Sequence, residues 1–88
     1  MRFTYDPAKA AANMRKHGVS FADAEGALAD PLAITIEDTY ALGEQRFITI
    51  GLGNTGELLV VAYAERGDSY RLISARPATK QERKHYES

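Results

Sequence analysis

The dipeptide Asp30-Pro31 divides the chain by period. Before it, apolar residues recur at helical spacing; after it, they alternate. A residue that precedes proline is pushed out of helical geometry, so a helix running into this dipeptide ends there. Beyond it, "LAITIED" sets Leu32, Ile34 and Ile36 on one side and Ala33, Thr35 and Glu37 on the other. A helical first third followed by alternating segments predicts an α+β domain.

The helical third is well punctuated. Asp6 is suited to an N-cap and Pro7 to the first helical position, where a missing N–H costs nothing. The alanine-rich run from Ala8 to His17 follows, and Gly18 is placed for a left-handed C-terminal cap. Ala10, Ala11 and Met14 share a face expected to enter the core. Lys9, Asn13, Lys16 and His17 share another. Ser20 opens a second helix with Phe21, Ala24 and Leu28 on its apolar stripe, although Gly26 weakens its interior.

The rest reads as strands. "TYALGEQ" is a turn or loop around Gly43, and "RFITIGL" begins a strand that "GNTG" turns back as a hairpin. The returning "ELLVVAYAE" is nearly all apolar, as a central strand covered on both faces would be. "RGDS" makes a second tight turn into "YRLISAR", and Thr79 with Glu82 forms a capping box for a last helix. The expectation is one domain over residues 1–88: two N-terminal helices, a four-stranded antiparallel sheet and a short C-terminal helix.

Composition bounds the function. The 88-residue chain has no Cys, which excludes disulfides, thiolate metal sites and cysteine nucleophiles. It shows no apolar run of membrane-spanning length and no secretion signal between Met1 and Lys9, so a cytoplasmic location is expected. The net charge of -1 hides an asymmetry: residues 1–18 and 71–88 each carry +3, and residues 19–70 carry -7. Two basic ends brought together would make one positive surface, although solvated helix faces account for them as well.

Most enzyme signatures are missing. There is no phosphate-binding glycine loop before a helix, and His17 and His85 stand apart without acidic neighbours in a ligand pattern, so no metal or cofactor is expected. Arg, Lys, His and Tyr remain. Simple alternation would put Leu72, Ser74 and Arg76 on one face of the last strand and Arg71, Ile73 and Ala75 on the other. Guanidinium and ammonium groups suit phosphates. RNA cleavage by 2′-hydroxyl attack needs a base, an acid and cationic stabilisation of the phosphorane, with no metal. Against that, Arg71 has a plain reading as a cross-strand partner, Tyr86 as a residue docking the last helix, and His17 as a cation at a helix C-terminus.

The words "YDPAKAAANMRKHGVSFADA" (5–24), "DP" (30–31), "GEQRF" (43–47) and "RLISARPATKQERKHYE" (71–87), with the apolar strand before the last, run along almost the whole chain. In them the sequence resembles the BrnT toxins of bacterial type II toxin–antitoxin systems. The resemblance implies a fold similar to RelE and ParE toxins and a ribonuclease that arrests translation. It further implies a BrnA-like antitoxin that masks the toxin, with operator DNA bound only through that antitoxin. Carried over by position, Lys16, His17, Arg46, Arg71 and Arg76 are the catalytic candidates. Lys9, Asn13, Ser74, Lys80 and Tyr86 are the candidates for binding RNA. Two other readings stand beside the ribonuclease: a ParE-like toxin acting by protein contact, and a non-catalytic co-repressor subunit.

Overall fold

The chain enters as a strand. A computed structural model describes residues 2–39 and 43–88. In it β1 (Arg2–Thr4) precedes α1 (Pro7–His17) and α2 (Phe21–Ala29). Four strands follow, β2 (Ile34–Glu37), β3 (Arg46–Leu52), β4 (Leu58–Arg66) and β5 (Ser69–Pro77), and then α3 (Lys80–Glu87). The sheet order is β1-β5-β4-β3-β2, with β1 parallel to β5 and the other neighbours antiparallel. The expected four-stranded antiparallel sheet is therefore wrong: the sheet is five-stranded and mixed, and a strand precedes the helices. Three residues are too few to show an alternation, and the partners of β1, Ser69 to Arg71, lie at the other end of the sequence. The loop expected at "TYALGEQ" falls partly on residues 40–42, outside the described residues.

Local chemistry sets the helix ends. The Asp6 carboxylate accepts the Ala8 N–H at 2.9 Å, and Gly18, at φ 70°, donates its N–H to the Met14 carbonyl at 2.9 Å. Ser20 Oγ accepts the Asp23 N–H at 3.0 Å to start α2. Thr79 and Glu82 form the reciprocal capping box of α3.

The core lies between the helices and one face of the sheet. Leu59, Val61 and Tyr63 of β4 and Leu72 and Ala75 of β5 meet Val19 and the α2 residues Phe21, Ala24 and Ala27 there. Helix α1 departs from expectation, because Ala11 and Met14 are exposed and only Ala10 packs against the core. Its buried residue is Asn13. This helix packs against β5, at the flank of the sheet, while α2 lies across β3, β4 and β5. Gly26, awkward in a helix, has a packing reason: a Cβ there would stand 2.4 Å from Asn54 Oδ1, in the β3–β4 turn. Asn54 and Thr55 of that turn hydrogen-bond to Ala22 and Asp23 of α2, which staples the hairpin to the helix.

A bulge in β5 decides which side chains face where. Ser74 pairs with Ala62 and Leu72 with Tyr63, so Ile73 is the extra residue. Leu72 and Ala75 consequently both turn to the helices and are buried. Arg71, Ser74 and Arg76 share the opposite face, each in register with Ala64, Ala62 and Val60 of β4 respectively. Simple alternation put Leu72 with Ser74 and Arg71 with Ala75; the bulge overturns both assignments.

Candidate active site

Strand β1 ends at Thr4, opposite Arg71, so β5 beyond that point lacks a strand on this edge. The side chain of Asn13 takes the strand's place. Its Oδ1 accepts the Ala75 N–H at 3.0 Å, and its Nδ2 donates to the Ala75 carbonyl at 2.8 Å and the Val19 carbonyl at 2.9 Å. This clasp holds α1 against the free edge of β5 and leaves a cleft beside it. The cleft, about 240 Å³, is lined by Lys9, Ala12, Asn13, Lys16, His17, Ile73 and Ser74. Pockets for whole small molecules are larger, ~300 to 1,000 Å³, so this one suits a single group of a longer chain.

Helical spacing explains the convergence. Positions 9, 13, 16 and 17 form one stripe of α1, and with Asn13 anchored, Lys9, Lys16 and His17 must border the same edge. The structure thus brings together Lys9, Asn13, Lys16, His17 and Ser74. The amide of Asn13 is spent on Ala75 and Val19, which makes it a positioning group.

The arginines lie elsewhere. Arg76 is clamped by Glu82 of α3, Nη1 to Oε1 at 2.9 Å and Nη2 to Oε2 at 2.8 Å. The same carboxylate accepts the Thr79 N–H at 2.8 Å. The Arg76 guanidinium, followed by the Thr79 N–H, holds the Glu82 carboxyl down at about 2. Arg76 and Ser74 border a groove floored by Ile48, Ile50, Val60 and Ala62 on the face away from α1 and α2. Ser74 thus lines both the α1 cleft and this groove.

Arg46 and Arg71 meet around Glu44. Its Oε1 accepts from Arg66 Nη2 at 2.9 Å and Arg71 Nη2 at 3.0 Å, and its Oε2 from Arg46 Nε at 3.1 Å. Arg66 first, then Arg46, hold the Glu44 carboxyl down at about 2. Of the remaining candidates, Lys80 is exposed at the start of α3. Tyr86 donates its hydroxyl to Asp30 Oδ2, docking the last helix against the end of α2.

A family model described as "Ribonuclease toxin, BrnT, of type II toxin-antitoxin system" matches residues 5–82. The chain belongs to this family. Its fold is similar to the 1.1 Å-resolution crystal structure of the Brucella abortus ribonuclease toxin BrnT. The TM-score is 0.72 and the identity 28%, over 91% of this chain and 99% of that one. No curated protein matches the chain. As a BrnT-family member it is a ribonuclease toxin of the type II toxin–antitoxin kind, a class that implies an antitoxin partner. Among the described residues no helix is long and apolar enough to cross a membrane.

Sequence reasoning missed Glu44 and Arg66, which meet Arg46 and Arg71. Glu44 stands in the "GEQRF" word, which is the available signal; Arg66 is the last residue of β4 and carries none.

Proposed function

We propose that the chain, acting as one domain over residues 1–88, cuts RNA by 2′-hydroxyl attack in the cleft between α1 and the free edge of β5. The observation that carries this reading is the convergence of Lys9, Lys16 and His17 on Ser74. His17 takes the proton of the 2′-hydroxyl as its oxygen bonds to the neighbouring phosphorus. Histidine is the side chain that ordinarily titrates nearest neutrality. The bond to the 5′-oxygen breaks, and Lys16 returns a proton to that leaving oxygen. Lys9 stabilises the phosphorane charge and Ser74 positions the phosphate beside it, while Arg76, clamped by Glu82 in the groove on the other face, holds the RNA strand where it passes Ser74. Arg46 and Arg71 stand apart with Glu44 and act on substrate binding. No step calls on a metal or cofactor.

In this reading the cell target is RNA in the cytoplasm, with arrest of translation as the result. A BrnA-like antitoxin covers the cleft, and operator DNA is bound only through that antitoxin. The test is product analysis with purified protein and a single-stranded RNA. The expected products carry 2′,3′-cyclic phosphate and 5′-hydroxyl ends, and the all-deoxy strand stays intact. Cleavage of the deoxy strand, or products with 5′-phosphate ends, would overturn the mechanism.

A further inference from the structure

The face of the sheet away from α1 and α2 is a grid of rows. Ile50, Val60 and Arg76 lie in register across β3, β4 and β5; Ile48, Ala62 and Ser74 form the next row; Arg46, Ala64 and Arg71 form the third. Ala64 has a small side chain and is fully buried, so the stems of Arg46 and Arg71 flank a low floor. Arg66, two residues on from Ala64, joins them on the same face. The three guanidinium groups share the one carboxylate of Glu44.

That ratio exceeds what holding Glu44 requires. One bidentate arginine already balances the charge of a carboxylate, as Arg76 does for Glu82. Here three like charges are gathered at one point, a repulsive arrangement that a single anion only partly offsets. Arg71 Nε is buried without a hydrogen-bond partner among the described residues, so one guanidinium still has a donor unspent. The side chain of Glu44 is largely covered, at 17% exposure, whereas Arg66 keeps 57% of its own surface open. The cluster is thus accessible from the arginine side.

The geometry points to a second anion subsite at Arg46, Arg66 and Arg71 that takes a backbone phosphate of single-stranded RNA, with Glu44 as the built-in anion the phosphate competes against. This rests on the ribonuclease reading above. The row of Arg76 and the row of Arg71 are separated by the four-residue step from Val60 to Ala64. At ~3.3 Å per residue that step is about 13 Å, the span of a short run of nucleotides. Ser74 stands between the two rows and also lines the α1 cleft. A strand entering at the cleft and crossing β5 at Ser74 reaches the arginine cluster on the same face. Glu44 keeps the guanidiniums gathered when no RNA is present, and lowers affinity by occupying them.

The test measures binding of a fluorescent 2′-O-methyl oligonucleotide, which lacks the attacking hydroxyl, against salt concentration. Cleavage of ordinary RNA by the wild-type protein is followed in parallel. Each bound phosphate on a single strand contributes about 0.7 to the salt slope. Arg66→Gln should therefore lower the slope by about 0.7, shrinking the affinity loss between ~50 and ~200 mM salt by roughly 2- to 3-fold. Glu44→Gln should bind the oligonucleotide about 2- to 5-fold more tightly at low salt, converging on wild type as salt rises. An ion-pair network with only a structural role predicts a lower melting temperature for Glu44→Gln and no gain in RNA affinity; that outcome overturns the subsite. So does an unchanged slope in Arg66→Gln, a variant at the most exposed of the three arginines. A gain in affinity for the antitoxin alone would reassign the cluster to the protein partner and overturn the proposal. If wild type neither cleaves nor binds RNA, the ribonuclease reading falls and the subsite falls with it.

Discussion

Asn13 and Ala75 are joined as two paired strand residues would be: the Asn13 amide accepts the Ala75 N–H at 3.0 Å and donates to the Ala75 carbonyl at 2.8 Å. Sixty-two positions apart in sequence, they fix α1 to β5 where β1 has stopped. Lys9, Lys16 and His17 take their places from that fixed point.

Asn13→Ala should accordingly injure both fold and site. It strands the Ala75 N–H and carbonyl and the Val19 carbonyl in a buried setting. Each unsatisfied buried group costs about 1 to 3 kcal/mol, so three of them imply a loss of about 3 kcal/mol or more. For a domain of this size that lowers Tm by roughly 10 °C or more. Thermal melts measure it, and a Tm within a few degrees of wild type would show that α1 is held by other contacts.

A second expectation concerns acid. Arg76 and the Thr79 N–H depress the Glu82 carboxyl from 4.5 to about 2, and Arg66 and Arg46 depress that of Glu44 to about 2. Both carboxyls are lower in the folded chain than in the unfolded one. Their contribution is therefore complete above pH 4.5 and disappears as pH falls toward 2. Denaturant melts at steps across that window should show falling stability. Glu82→Gln should flatten the fall, because glutamine has no proton to take up. An equally steep fall in Glu82→Gln would assign the acid sensitivity to other carboxylates, Asp30 first among them, since its hydrogen bond from Tyr86 holds it low as well.

The helices are legible in the sequence because their signals are local. Asp6, Pro7, Gly18, Ser20 and the Thr79–Glu82 pair each act within a turn of where they stand. What escapes is set by distance. β1 exists only because Ser69 to Arg71 lies beside it, and the bulge at Ile73 reverses the faces that alternation assigns to Leu72 and Ala75. Asn13 reads from sequence as a polar member of a basic stripe, and only the missing strand neighbour of Ala75 reveals its task. Lys9, Lys16 and His17 meet Ser74 along the clasped edge of β5, without the basic residues of 71–88 that the charge pattern would add. The arginines part from them because the register of β5 turns them to the other face, where Glu44 and Glu82, both invisible as partners in sequence, hold them.

Gly26→Ala tests the close approach of α2 to the hairpin. In an isolated helix the change favours helicity by about 1 kcal/mol. Here the new Cβ would stand 2.4 Å from Asn54 Oδ1 and 2.5 Å from the Asn54 backbone nitrogen, which the staple to Asp23 holds in place. Overpacking against fixed backbone costs about 1 to 3 kcal/mol, so the net effect should be a lower Tm. A raised Tm would mean that the turn yields easily and that the staple is weak.

The sharpest functional expectation falls on His17, because two accounts of it predict opposite readouts. As a cation in the last turn of α1 it would contribute about 0.3 to 1 kcal/mol through the helix dipole. On that account His17→Gln shaves a degree or a few from Tm and leaves RNA cleavage intact. As the base in the cleft with Lys16 and Ser74, His17→Gln should cut the cleavage rate by about 10² to 10⁴ while Tm barely moves. It should also abolish the rise of rate with pH that a titrating base imposes, since glutamine has no proton to lose. Cleavage rate against pH and Tm, measured on the same two proteins, separate the accounts. Wild-type cleavage with an unchanged pH profile would remove His17 from the chemistry and pass the proton transfer to Lys16.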